Sequence, residues 1–280
     1  MADYVFHVLH NACPEYEIDV LTILQDNQEP TYENILSEGE SLGLTIGSQV
    51  KTERMLKDIL QPLRDLGLVE RRQIKLTELG HVLARIAYNN PDLFPDIFHY
   101  LYYSIWDPAQ ETQKCFSWSY RTLCNHLWGQ GTVALDKKNL ASFISAEANQ
   151  RFQIRSVSFS QNSVQGITIW LEALSPSVIR FGDNLTEEIF SRRPFCPPEL
   201  FTLGVDFVYQ TQEIDYGVNL LLSDERRDAV CQVCLLDPMG FDRVLEYAVA
   251  QFNYLEQGTG GGWGRYLTLR RAPRLEDFLT

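Results

Sequence analysis

Eight cations lie between residues 48 and 85 (Lys51, Arg54, Lys57, Arg64, Arg71, Arg72, Lys75 and Arg85), against five acidic side chains. Lys and Arg at that density neutralise phosphates and release the counterions that phosphates condense. The surroundings run the other way. Residues 1–50 hold nine acidic side chains and no Lys or Arg, and the 280-residue chain carries a formal charge of −13. A net-negative surface repels a phosphate backbone, so broad, non-specific nucleic-acid binding is disfavoured and any contact must be local.

Other reactive residue types are arranged less tellingly. Cys231 and Cys234 form a solitary CxxC, whereas structural zinc takes four ligands, usually from two such pairs. Cys115, Cys124, His126 and Cys196 would complete a site only if the fold gathered them. The apolar neighbours Ala229, Val230, Val233, Leu235 and Leu236 read instead as a buried helix face on which cysteine acts as a small hydrophobe. No metal and no cofactor are expected, with Cys231 and Cys234 the residual metal candidates. The glycine run from Gly258 to Gly264 lacks a Gly-Lys-Ser/Thr ending and precedes no helix, so it reads as a hairpin tip and not a phosphate loop. His7 and His10 stand three apart without an HExxH or a carboxylate cluster, and neither GxSxG nor GxGxxG occurs. Trp118, Tyr120 and Arg121 have the types to stack unpaired bases. An aromatic core holding one paired Arg is the favoured reading of the same residues.

The elements that position the basic segment follow from hydrophobic spacing. Ile18, Leu21, Ile23 and Leu24 mark a first helix that ends before Asp26. Thr31 caps a second, which runs to a Gly39–Gly43 break. Ser48 is expected to cap a third whose apolar stripe is Met55, Leu56, Ile59, Leu60, Leu63 and Leu66. Pro62 calls for a kink near Lys57–Asp58 or an early stop, and Gly67 ends the helix. Leu68–Arg72 and Ile74–Thr77 read as two short strands with a tight basic turn, and a last helix runs from Glu78 to Tyr88.

The run Leu66-Gly67-Leu68-Val69-Glu70-Arg71-Arg72, followed by Leu76-Thr77-Glu78-Leu79-Gly80, resembles the recognition-helix end, wing and following helix of bacterial winged-helix regulators. The resemblance covers residues 31–88, about a fifth of the chain. It implies a recognition helix from Ser48 to Leu66 and a wing from Leu68 to Thr77. By position, Gln49, Lys51, Thr52 and Arg54 would then face base edges or phosphates of double-stranded DNA, with Arg71, Arg72 and Lys75 as wing contacts. More broadly, the chain resembles uncharacterised winged-helix proteins of bacterial defence loci.

Beyond Asn90 the chain reads as mainly helical. Residues 92–105 are apolar nearly all round, as in a helix packed between domains or against a partner subunit. Cys115–Arg121 leads into a short helix, 137–152 is another, Ile154–Phe159 alternates like a strand, and Ser160 or Asn162 caps a helix that Ser175-Pro176 closes. With the strand-like Val178–Phe181, this order is one reading of a second, degenerate winged helix. Helices are expected over 199–212, 223–236 and from Asp237 onward, then the glycine loop and a strand at 266–270. The fold class is thus mainly α: an N-terminal winged-helix domain (1–90), an aromatic-rich helical region (91–150) and a mainly helical domain with small β elements (151–280).

No stretch reaches about 18 apolar residues, so no membrane helix is expected. Met1-Ala2-Asp3-Tyr4 lacks the basic start of a signal peptide, and six irregular cysteines suit a reducing, cytoplasmic setting. The leading expectation is a prokaryotic, non-enzymatic DNA-binding regulator or adaptor. The second is a subunit of a multiprotein complex whose winged helix meets protein instead, with self-association or protein partners in either case. The third is an enzyme with an unrecognised site near Trp118–Arg121 or the cysteine pair.

Overall fold

A computed structural model describes residues 5–27, 30–154, 157–182, 187–260 and 264–279. The fold is mainly α, with small antiparallel sheets. It divides into two compact units, one of Met1–Leu123, Asp136–Leu174 and Leu279–Thr280, the other of Cys124–Leu135 and Ser175–Phe278. These units are not the three consecutive regions expected at 1–90, 91–150 and 151–280, because residues 136–174 pack with the N-terminal elements.

The first unit opens with α1 (Pro14–Asp26), which starts on a proline, and α2 (Tyr32–Ser41), where Thr31 and Asn34 form a reciprocal capping box. Next comes the short α3 (Thr45–Gln49), packed so closely on α2 that a Cβ at Gly47 would lie 2.1 Å from the Glu40 amide nitrogen. Asp19, buried on α1, accepts the Ile46 amide at 2.9 Å and ties α1 to α3. Helix α4 (Glu53–Asp65) buries Leu56, Ile59, Leu60, Pro62 and Leu63. Gly67 then turns the chain at φ +77, and α5 (Glu78–Asn89) follows a narrow hairpin.

The expected recognition helix is therefore two helices. Val50 is buried and extended between α3 and α4, so Thr52, not Ser48, is the cap, accepting the Met55 amide. Ser48 lies inside α3 and donates to the Thr45 carbonyl. No break occurs at Lys57–Asp58. Pro62 sits late enough in α4 for the helix to run on to Asp65.

The rest of the unit is aromatic. In α6 (Phe94–Ser104), Phe98 stacks on Trp170 with centroids 4.1 Å apart, and Tyr102 stacks on Tyr120 at 5.1 Å. One helix, α7 (Cys115–Gln130), replaces the lead-in and short helix expected there. Both α8 (Lys137–Phe152) and α9 (Gln161–Glu172, capped by Ser160) match their spacing, but the described part of 154–159 forms no strand. Trp118 and Tyr120 are buried, and Arg121 donates from Nε to the Tyr103 carbonyl at 2.7 Å and from Nη2 to those of Ser104 and Trp106. These three residues are core, and no stacking platform is open to bases. Glu17 on α1 is fully buried, and neither carboxyl oxygen has a hydrogen-bond partner among the described residues.

In the second unit, β1 (Thr132–Ala134), β2 (Ile179–Phe181) and β3 (Glu188–Ser191) form a sheet in the order β1-β3-β2. Helix α10 (Pro198–Thr211) precedes β4 (Asn219–Leu221), α11 (Asp224–Cys234) and α12 (Phe241–Gln251). The chain ends in β5 (Leu255–Gly260) and β6 (Gly264–Leu269), and the second sheet has the order β4-β6-β5. The glycine loop therefore joins two paired strands, and Leu255–Gly260 is a strand where the sequence suggested helix and loop. Gly261, Gly262 and Trp263 lie outside the described residues. On α11, Cys231 and Cys234 are buried, with Cys234 Sγ 3.7 Å from the Leu200 carbonyl of α10.

Candidate nucleic-acid interface

Thr52 starts α4 because its hydroxyl accepts the Met55 amide at 3.3 Å. That role leaves Thr52 less free for a base edge than its position suggests. Gln49, Lys51, Thr52 and Arg54 are all exposed, clustered around the α3–α4 junction. Among the described residues, no ion pair engages Lys51 or Arg54. Lys57, one turn on, is compensated by Glu53 at 2.7 Å and lies 5.1 Å from the centroid of the Tyr32 ring. Contact with Glu53 holds the Lys57 ammonium above its usual range.

The hairpin is shorter than the two strands expected. A single bridge joins Val69 to Leu76, flanked by the Glu70 amide on the Lys75 carbonyl (2.9 Å) and the Thr77 amide on the Leu68 carbonyl (3.0 Å). Thr77 Oγ1 accepts the Gly80 amide at 3.1 Å and donates to the Gly67 carbonyl at 2.7 Å. Gly80 is required here, since a Cβ would lie 2.0 Å from the Leu68 carbonyl oxygen.

Arg71 and Arg72 are exposed at the hairpin tip. Arg71 is coupled electrostatically to Asp65, the last residue of α4. The tip thus sits by the C-terminal end of α4, about 18 Å along the axis from Glu53 at 1.5 Å per residue. Lys75 is half-buried and faces elsewhere. With Leu24, Gln25, Asn27, Leu76 and His81 it lines a pocket of about 190 Å³ at the end of α1. A cation there complements the helix dipole, and the last turn of α1 has no basic residue of its own.

The seven residues therefore fall into three places: Gln49, Lys51, Thr52 and Arg54 at one end of α4, Arg71 and Arg72 at the other, and Lys75 against α1. Two cations that spacing could not find join Arg71. Arg64 on α4 and Lys114, immediately before α7, both act on Asp65. Burial raises the Asp65 carboxyl above the usual range, opposed by the Gln61 hydrogen bond and these three charges.

Among the described residues no group of three or more His, Cys, Asp or Glu side chains is placed to hold a metal. Burial pushes the Cys231 and Cys234 thiols well above the ordinary range, away from the thiolate a metal needs. No described helix is long and apolar enough to cross a membrane.

No family model matches the chain, and no curated protein matches it. Among solved structures, the crystal structure of SspB is similar over 98% of this chain and 87% of its own, with a TM-score of 0.59 and 13% identity. At that identity the likeness is one of fold.

Proposed function

We propose that this is a non-enzymatic, cytoplasmic, prokaryotic protein whose residues 31–88 act as a winged helix on double-stranded DNA. It would serve as a regulator or as an adaptor in a nucleic-acid-processing or defence assembly. The observation that carries this reading is the exposure, without ion pairing, of Lys51 and Arg54 where α4 leaves its cap, in a protein otherwise acidic. Lys51, Arg54, Arg71 and Arg72 amount to four phosphate contacts, for a salt slope of about −3 to −4. Affinity from so few contacts is modest, so partner subunits or specific base contacts must add to it.

Titrating a labelled duplex with wild type and with Lys51→Ala/Arg71→Ala/Arg72→Ala at several salt concentrations tests the reading. Salt-dependent binding that the triple substitution abolishes supports it; equal affinity in both proteins ends it. A second reading, a protein-binding winged helix in a multiprotein complex, draws support from the separation of the two exposed basic groups along α4. A groove-bound helix concentrates its contacts at one end, and nine acidic residues in the first fifty suit a protein partner better than DNA.

A further inference from the structure

Around Asp65 three cations meet one carboxylate, and the surplus positive charge has no visible purpose in the fold. Asp65 already accepts Gln61 Nε2 at 2.8 Å. Arg64, Arg71 and Lys114 all bear on it, and Arg71 and Lys114 act on one another as like charges. Burial, and after it the Arg71 charge, makes the Lys114 ammonium easier to deprotonate than an ordinary lysine.

Two further features of these same residues need a partner. Arg64 Nε is buried with no hydrogen-bond acceptor among the described residues, a cost that an anion would remove. Lys114 stands at φ 53, the left-handed region that a side-chain-bearing residue adopts only under constraint. The nearby carboxylates do not fill the role. Glu111, three residues before Lys114, is committed to Arg151 at 2.8 Å, and the first turn of α7 has no acidic side chain.

We propose that Arg64, Arg71 and Lys114 form an anion site that takes a phosphate group. A backbone phosphate of DNA is the source if the reading above holds, on which that part of the inference rests; free phosphate is the other source. Arg64 and Arg71 offer planar donors that suit phosphate oxygens, and Lys114 adds a point charge. In the DNA case the anchor lies at the hairpin end of α4, so the duplex would be gripped there by its backbone.

Amine acylation of the full chain, read residue by residue by mass spectrometry, separates the possibilities. Millimolar inorganic phosphate, against chloride at equal ionic strength, should lower labelling of Lys114 several-fold and leave Lys51 unchanged. A short duplex should protect both. Protection of Lys114 by phosphate with no protection by duplex keeps the anion site and removes the DNA reading. Protection of Lys51 by duplex, with Lys114 indifferent to both probes, overturns the anion site and keeps the DNA reading. Protection of neither lysine by either probe ends both.

The second measurement is duplex affinity. Lys114→Gln should weaken it several-fold and reduce the salt slope by about one, while Lys114→Arg keeps both near wild type. An unchanged slope in Lys114→Gln, with wild type binding normally, refutes the site.

Discussion

Replacing Glu17 with methionine removes a carboxyl from a position where nothing holds it, and the gain should depend on pH in a defined way. Burial raises the folded-state pKa of Glu17 well above the ordinary value of 4.5. The unfolded chain therefore releases this proton near pH 4.5, while the folded protein retains it to higher pH. A group shifted this way contributes its full stability below pH 4.5 and loses it as pH rises toward the folded value. With the folded carboxyl still protonated at pH 7, the loss is about 3.4 kcal/mol, at 1.36 kcal/mol per pH unit. A neutral carboxyl with unmet hydrogen bonds adds about 1–3 kcal/mol at any pH.

Glu17→Met should thus stabilise the protein modestly at pH 4 and by about 3 kcal/mol more at pH 7, where the linkage cost is fully present. Urea unfolding of both proteins at pH 4, 5, 6 and 7 reads the difference directly. Asp19, Asp65 and Asp206, whose burial shifts them in the same direction, cancel between the two proteins. A stability difference that stays flat across this range refutes the reasoning, because it means the folded protein ionises Glu17 without cost.

Gly80→Ala should destabilise the protein by about 3 kcal/mol or more, since the added methyl has only the Leu68 carbonyl to meet; denaturant midpoints against Gly129→Ala, where a Cβ meets nothing within 4 Å, provide the check. Arg121→Met should cost at least about 3 kcal/mol by stranding the carbonyls of Tyr103, Ser104 and Trp106, and a loss below about 1 kcal/mol in thermal unfolding would show them resatisfied. Thiol titration of the native protein should find Cys13 reacting first and Cys124, Cys231 and Cys234 reacting only on unfolding. These three are buried with their thiols held in the protonated form. Rapid labelling of the α11 pair would contradict the packing.

Much of the helical frame was legible because its signals are local. Thr31, Thr77, Ser160 and Ser223 all cap the helices that follow them, and the all-round apolar stretch after Asp92 is indeed buried. Ser48 and Thr52 carried equal capping chemistry, and only the burial of Val50 between them decides in favour of Thr52. Strand β5, Leu-Glu-Gln-Gly-Thr-Gly, has almost no strand propensity of its own; its pairing with β6 makes it a strand. Among the basic residues, exposure followed from charge, but grouping did not. Lys114 lies more than forty residues from Arg71 and reaches it through the fold, while Lys75, near Arg71 in sequence, turns to the end of α1.

Thr77 has a dynamic consequence. A hairpin with one bridge has little cooperativity of its own, but the Thr77 hydroxyl fastens it at Gly67 while capping α5 at Gly80. Parting the hairpin therefore uncaps the helix, and the two should open as a single event. In native-state hydrogen exchange, the amides of Glu70, Thr77 and Gly80 would share one opening free energy. A ligand held at the hairpin tip would then slow exchange at the start of α5, a helix it need not touch.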